Sequence, residues 1–86
     1  MDNVTPVERE KFQNIIMDIF ENGRELTARE VSVILYRNDL VPYPARAVCH
    51  PRITELCKMG KLEECGSKVD EITRKVVTIY RKKVEE

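Results

Sequence analysis

Ala45-Arg46-Ala47-Val48-Cys49-His50-Pro51-Arg52-Ile53-Thr54-Glu55-Leu56-Cys57-Lys58-Met59-Gly60 repeats its apolar residues at helical spacing. At 100° per residue, Cys49, Ile53, Leu56 and Cys57 fall on one side, and Ala47, His50, Pro51, Thr54, Glu55 and Lys58 fall on the other. The first side suits a core. The second carries small, polar and basic groups, and Gly60 ends the segment. Pro51 limits the geometry, because a proline inside a helix removes a hydrogen bond and costs about 3 kcal/mol. Either the regular helix begins near His50 with Pro51 in its first turn, or a helix from Pro44 or Ala45 to Met59 is kinked there.

Upstream, Thr27-Ala28-Arg29-Glu30 is a capping box ahead of Val31, Ile34 and Leu35 on one face, which predicts a short helix. It must end near Asn38, since Pro42 and Pro44 hold the residues before them extended. A first helix is announced by Thr5-Pro6-Val7-Glu8, with Thr5 as cap and Pro6 at the first helical position. Phe12, Ile15, Ile16, Ile19 and Phe20 then form an apolar stripe behind an acidic outer face, and Gly23 is the stop. With Met17, that stripe is large enough either to be filled by the chain itself or to share in a two-fold dimer interface through the first helix.

Downstream, Lys61-Leu62-Glu63-Glu64-Cys65 is a short strand candidate, Gly66-Ser67-Lys68 a turn, and Lys75-Val76-Val77-Thr78-Ile79-Tyr80 a β-branched run of strong strand propensity. Joined through the charged segment Lys68 to Arg74, the two runs predict a hairpin with an exposed tip. The expected fold is α+β, a winged helix-turn-helix with three helices followed by a β-hairpin wing. It forms one domain over residues 1–86, with an ordered core at about 5–81 and a flexible tail over 82–86.

The 86 residues, 42% of them hydrophobic, suffice for one small core and not for two. No run approaches the roughly 20 apolar residues of a membrane span, and the first residues are acidic and polar, which predicts a cytoplasmic protein with no membrane partner. Cys49, Cys57 and Cys65 cannot all pair within one chain and lack the spacing of a secreted disulfide framework, in keeping with a reducing compartment. The formal charge is zero but unevenly spread. From Met1 to Tyr43, eight acids face five bases, a net of −3, and from Pro44 to Lys83, ten bases face five acids, a net of +5. Such asymmetry fits one face turned to a polyanion, or two solvated charged faces.

Leu26-Thr27-Ala28-Arg29-Glu30-Val31, Val48 to Glu64 and Thr73-Arg74-Lys75-Val76-Val77-Thr78-Ile79-Tyr80-Arg81 resemble the small winged-helix proteins of bacteriophages and prophages. Their pattern is a threonine-capped second helix, a third helix reading V-x-x-R-I-x-E-L-x-x-x-G-x-I/L, and a wing returning through T-G-R into an apolar strand that ends in an aromatic. Similar patterns occur in MarR-like regulators. The resemblance spans roughly Leu26 to Arg81. It implies a transcriptional regulator that binds double-stranded DNA through the third helix and the wing, although winged helices also serve as protein interaction modules. Arg74 stands where the pattern has glycine, so a longer or differently shaped wing turn is expected.

In a DNA-binding reading, Arg46, His50, Arg52, Thr54 and Lys58 form the recognition set on and beside the third helix. Arg46 would pair with guanine and Thr54 would meet a base edge or thymine methyl, while Arg52, Lys58 and Lys61 hold phosphates; the other reading open to these residues is that Arg52 pairs with Glu55 and the rest are ordinary surface. Lys68, Arg74 and Lys75 would carry the wing contacts, against which Asp70 and Glu71 argue. Three thiols and His50 would suit tetrahedral zinc chemically, but no C-x-x-C knuckle is present, and Cys57 and Cys49 read as small core residues. Cys49 and His50 diverge by roughly 100° on a helix, leaving the thiol without a base, and no Gly-rich phosphate loop, carboxylate pair or Ser-His-Asp set occurs. No catalytic activity, cofactor or metal is therefore expected. Two other roles stay open: a winged-helix module binding a protein partner, and a replication or recombination accessory binding DNA without sequence preference.

Overall fold

Thr27 starts the central helix by reciprocal capping. Its hydroxyl accepts from the Glu30 N–H at 3.2 Å, and its own N–H donates to the Glu30 carboxylate at 2.9 Å. Helix α2, Ala28–Arg37, follows from that box and closes at Asn38, whose N–H bonds back to Leu35. The computed structural model describes residues 6–84, so the expected cap Thr5 and the tail residues Glu85 and Glu86 lie outside the described residues.

Helix α1 spans Pro6–Ile19, and Gly23 follows it in the left-handed conformation (φ 73°) that its missing side chain permits. Strand β1, Leu26–Thr27, enters α2, whose last turn exposes Tyr36, and a connector with exposed Leu40 and Tyr43 leads on to a single 3-10 turn at Arg46–Val48. Helix α3, His50–Lys58, has Pro51 in its first turn, where no backbone N–H is required. Of the two geometries open for Pro51, the chain adopts the late start. Strands β2, Leu62–Val69, and β3, Val76–Lys82, form a hairpin, and the antiparallel sheet has the order β1-β3-β2.

The chain is thus α+β, three helices with a three-stranded antiparallel sheet, an architecture compatible with a winged helix. Ile16 of α1 and Phe20 just after it, Val31 and Leu35 of α2, Ile53 and Leu56 of α3, and Leu62 and Tyr80 of the sheet fill the core together with Cys49. Burying such a side chain contributes about 1.5–3 kcal/mol, and these positions come from every element longer than a turn.

The sheet corrects three expectations. Gly66-Ser67-Lys68 is not a turn, because β2 runs through it, pairing Gly66 with Ile79, Ser67 with Thr78 and Lys68 with Val77. Cys65 is the extra residue of a bulge between Glu64 and Gly66, which keeps the alternation of faces on both sides of it. At the carboxyl end, Lys82 pairs with Leu62 and the Lys83 N–H bonds to Lys61, so the order extends past residue 81. The short strand β1, pairing Leu26 with Tyr80 and Thr27 with Ile79, was not expected. Among the described residues, no helix is long and apolar enough to cross a membrane.

Candidate nucleic-acid interface

Cys49 sets the position of α3. Its side chain is wholly buried, and its thiol donates to the Ala28 carbonyl at 3.1 Å, tying the approach to α3 onto the first turn of α2. Burial pushes this thiol's pKa up to about 12, so it stays protonated and acts as a donor rather than a nucleophile. Cys57 is only half-buried, packed at the edge of the core.

With one side of α3 sealed by Ile53 and Leu56, the outward face presents exposed Ala47, Pro51 and Lys58, half-exposed His50 and Thr54, and exposed Arg46 and Lys61 at its two ends. Arg46 donates through Nη2 to His50 Nε2 at 2.9 Å. A guanidinium has only protons to offer, so this contact requires a neutral imidazole with its proton on Nδ1. Partial burial, and then the Arg46 charge, hold the His50 pKa below its ordinary value, in agreement.

Arg52 does not join this face. Its side chain is 6% exposed and its Nε lies 2.9 Å from Glu55 Oε1. The same carboxylate accepts from Gln13 Nε2 at 2.9 Å and lies 3.5 Å from Arg9 Nε. Glu55, expected on the solvent side, is thus the polar clamp between α1 and α3, and Arg52 is part of that clamp rather than a phosphate contact.

The wing loop is built on Asp70. Its Oδ1 accepts from the N–H groups of Ile72 (2.8 Å) and Thr73 (3.1 Å), its Oδ2 from Arg29 Nε (2.8 Å), its carbonyl from the Arg74 N–H, and its own N–H reaches Lys75. The Thr73 and Ile72 bonds, with Arg29, hold this carboxyl below its usual range. Asp70 and Arg29 are therefore the scaffold of the wing, and a D-x-I-T run ending in a turn is the signal that sequence reading passed over. Arg74 sits at φ 63°, where a glycine would be at ease, so the departure from T-G-R is absorbed as backbone strain at that residue.

Lys68 is held at 2.7 Å by Glu30, Arg81 at 2.7 Å by Glu63, and Lys82 at 3.0 Å by Glu21. Among the described residues, no ion pair engages Lys58, Lys61, Arg74 or Lys75. The amino-terminal approach to α3 and the hairpin meet at a cleft of about 330 Å³ between α2 and β3, with Arg29, Arg46, Asp70, Thr73 and Lys75 among its walls. Of the nine expected contact residues, Arg46 and Lys75 line one cleft, Arg74 is next to Lys75 in the chain, His50, Thr54 and Lys58 continue along α3, and Lys61 lies apart, in clefts shared with α1. Arg52 and Lys68 are spent on carboxylates.

No group of three or more His, Cys, Asp or Glu side chains with metal-binding geometry occurs among the described residues. No protein-family model, curated protein or solved structure matches the chain.

Proposed function

We propose that the chain is a winged helix-turn-helix protein that binds double-stranded DNA, with α3 in the major groove and the hairpin as a wing beside it, and that it regulates transcription by occupying a site, in the manner of the small phage and prophage proteins it resembles. The observation that carries this reading is the cleft, whose lining brings together Arg46 from the approach to α3, Lys75 from the hairpin and the Arg29–Asp70 pair. A phosphate backbone passing along it would meet cations from both elements, while Thr54 and Lys58 lie further along the outward face of α3. The element order and the sheet order β1-β3-β2 are compatible with a winged helix.

Fluorescence anisotropy with a mixed-sequence duplex at several salt concentrations tests the reading. Neutralising four or five phosphates gives a log–log slope of about −4. Arg46→Ala should lose discrimination at one base pair, whereas Lys58→Ala should weaken all sequences alike. The exposed Tyr36 at the end of α2 and Leu40 and Tyr43 of the connector after it favour a second reading, a module that docks on another protein. An absence of salt-sensitive DNA binding at micromolar protein would sink the first reading in its favour.

A further inference from the structure

The tip of the wing is apolar where a solvated loop would be expected to be polar. Turn positions usually carry Gly, Asn, Asp, Ser or Pro, yet Ile72 stands there 74% exposed. Behind it, the last pair of the hairpin is Val69 with Val76, 56% and 71% exposed. Three neighbouring β-branched side chains therefore stand exposed at one end of the sheet among the described residues.

The tip is also shaped by its own hydrogen bonds. The bonds from Ile72, Thr73, Arg74 and Arg29 to Asp70, together with Asp70 to Lys75, fix each residue of the loop except Glu71. Arg74 and Lys75 flank Ile72 on the carboxyl side, Glu71 is the neighbouring acid, Lys68 is neutralised by Glu30, and Asp70 is compensated by Arg29. Thr73, Lys75 and Val76 line the same cleft as Arg46, so a duplex held against α3 meets the wing on this side.

We infer that the wing is a minor-groove wedge: Ile72, backed by Val69 and Val76, enters between adjacent base pairs and bends the duplex, while Arg74 and Lys75 hold the flanking phosphates. The inference rests on the DNA-binding reading above. An apolar side chain inserted at a base step displaces stacking, and a preformed tip loses little freedom in doing so. Pyrimidine–purine steps unstack most readily, so the preferred site carries a TA or CA step roughly half a helical turn, about 5 base pairs, from the major-groove contact.

Duplexes of about 30 base pairs, roughly three turns, labelled at both ends for energy transfer and carrying 2-aminopurine beside a TA step, provide the test. The wild-type protein shortens the end-to-end distance and raises the 2-aminopurine signal. Ile72→Ala abolishes both and weakens binding about tenfold, the order expected for one lost apolar contact, with an unchanged salt slope, whereas Ile72→Leu retains them. The side chain is exposed, so circular dichroism should show both variants folded. Salt-dependent binding with straight DNA, or equal bending by Ile72→Ala, overturns the wedge and leaves the DNA-binding reading standing. No salt-dependent binding overturns both. Self-association that Ile72→Ala removes would overturn the wedge by making the tip a protein contact.

Discussion

Arg74 combines a strained backbone with a useful charge, and the two can be separated. A non-glycine residue in the left-handed region loses roughly 1–2 kcal/mol, part of which glycine would give back through its greater freedom when unfolded. Arg74→Gly should therefore stabilise the fold by about 0.5–1 kcal/mol in urea denaturation, and in the same protein reduce the salt slope of DNA binding by about one. Stabilisation without a change in slope would show that this guanidinium meets no phosphate. His50 makes a second residue-scale prediction. Its folded pKa lies below the unfolded value of about 6.5, so the unfolded chain takes up the proton first and stability falls as pH drops below that value. DNA favours the opposite, since a protonated His50 can no longer accept from Arg46 and adds a cation to the interface. Affinity measured by anisotropy should rise as pH falls from about 7.5 toward 5.5, by less than tenfold per unit, and His50→Gln should flatten the curve. The outward placement of Thr54 and Lys58 was readable from helical angles alone. Arg52 was open between a phosphate contact and a pair with Glu55, because a long side chain can turn either way, and the outcome is the pair, on a carboxylate that Gln13 and Arg9 of α1 also contact.

At the level of elements, the helices were legible because each carries its own punctuation: Thr27 with Glu30, Gly23, Asn38 and Gly60. The sheet was not, because its signals are pairwise. Strand β1 is two residues long and exists only by pairing with β3, and β2 continues past Gly66 only because Ile79, Thr78 and Val77 lie opposite. The contact between α1 and α3 is likewise invisible along the chain, since its polar part joins Gln13 to Glu55 across 42 residues. Removing Glu55 leaves Arg52, 5% exposed, without its carboxylate. Glu55→Ala should destabilise the fold by about 1–3 kcal/mol, discounted from a fully buried pair because Glu55 itself is part-exposed. Glu55→Gln should recover a portion through the Gln13 bond, and an effect within 0.5 kcal/mol for Glu55→Ala, about that of an ordinary surface change, would remove the clamp from the account.

For the whole molecule, the distribution of charge matters more than its sum. Four of the ten bases between Pro44 and Lys83 are engaged with carboxylates: Arg52, Lys68, Arg81 and Lys82. Four of the six others, Arg46, Lys58, Arg74 and Lys75, lie on α3, its approach and the hairpin loop, and Lys61 and Lys83 lie near α1, whose Glu8, Glu10 and Asp18 are exposed. A polyanion should therefore approach from one direction only. Hydrogen exchange with and without duplex DNA measures this directly, since a ligand at 100 times its Kd adds about 2.7 kcal/mol to global stability, and slows every amide that opens only by global unfolding. Local protection beyond that uniform gain should be confined to residues 46–61 and 70–77, where frayed turns and the wing loop ordinarily open by themselves. The outer face of α1 should show the uniform gain and nothing more. Extra protection over residues 14–19 of α1, where Asn14 and Met17 share a cleft with Lys61, would come either from a duplex reaching past Lys61 or, in the case that bears on assembly, from DNA bringing two copies together through the first helix. Sedimentation of the same complex at matched concentration would in the second case show two protein chains per duplex rather than one.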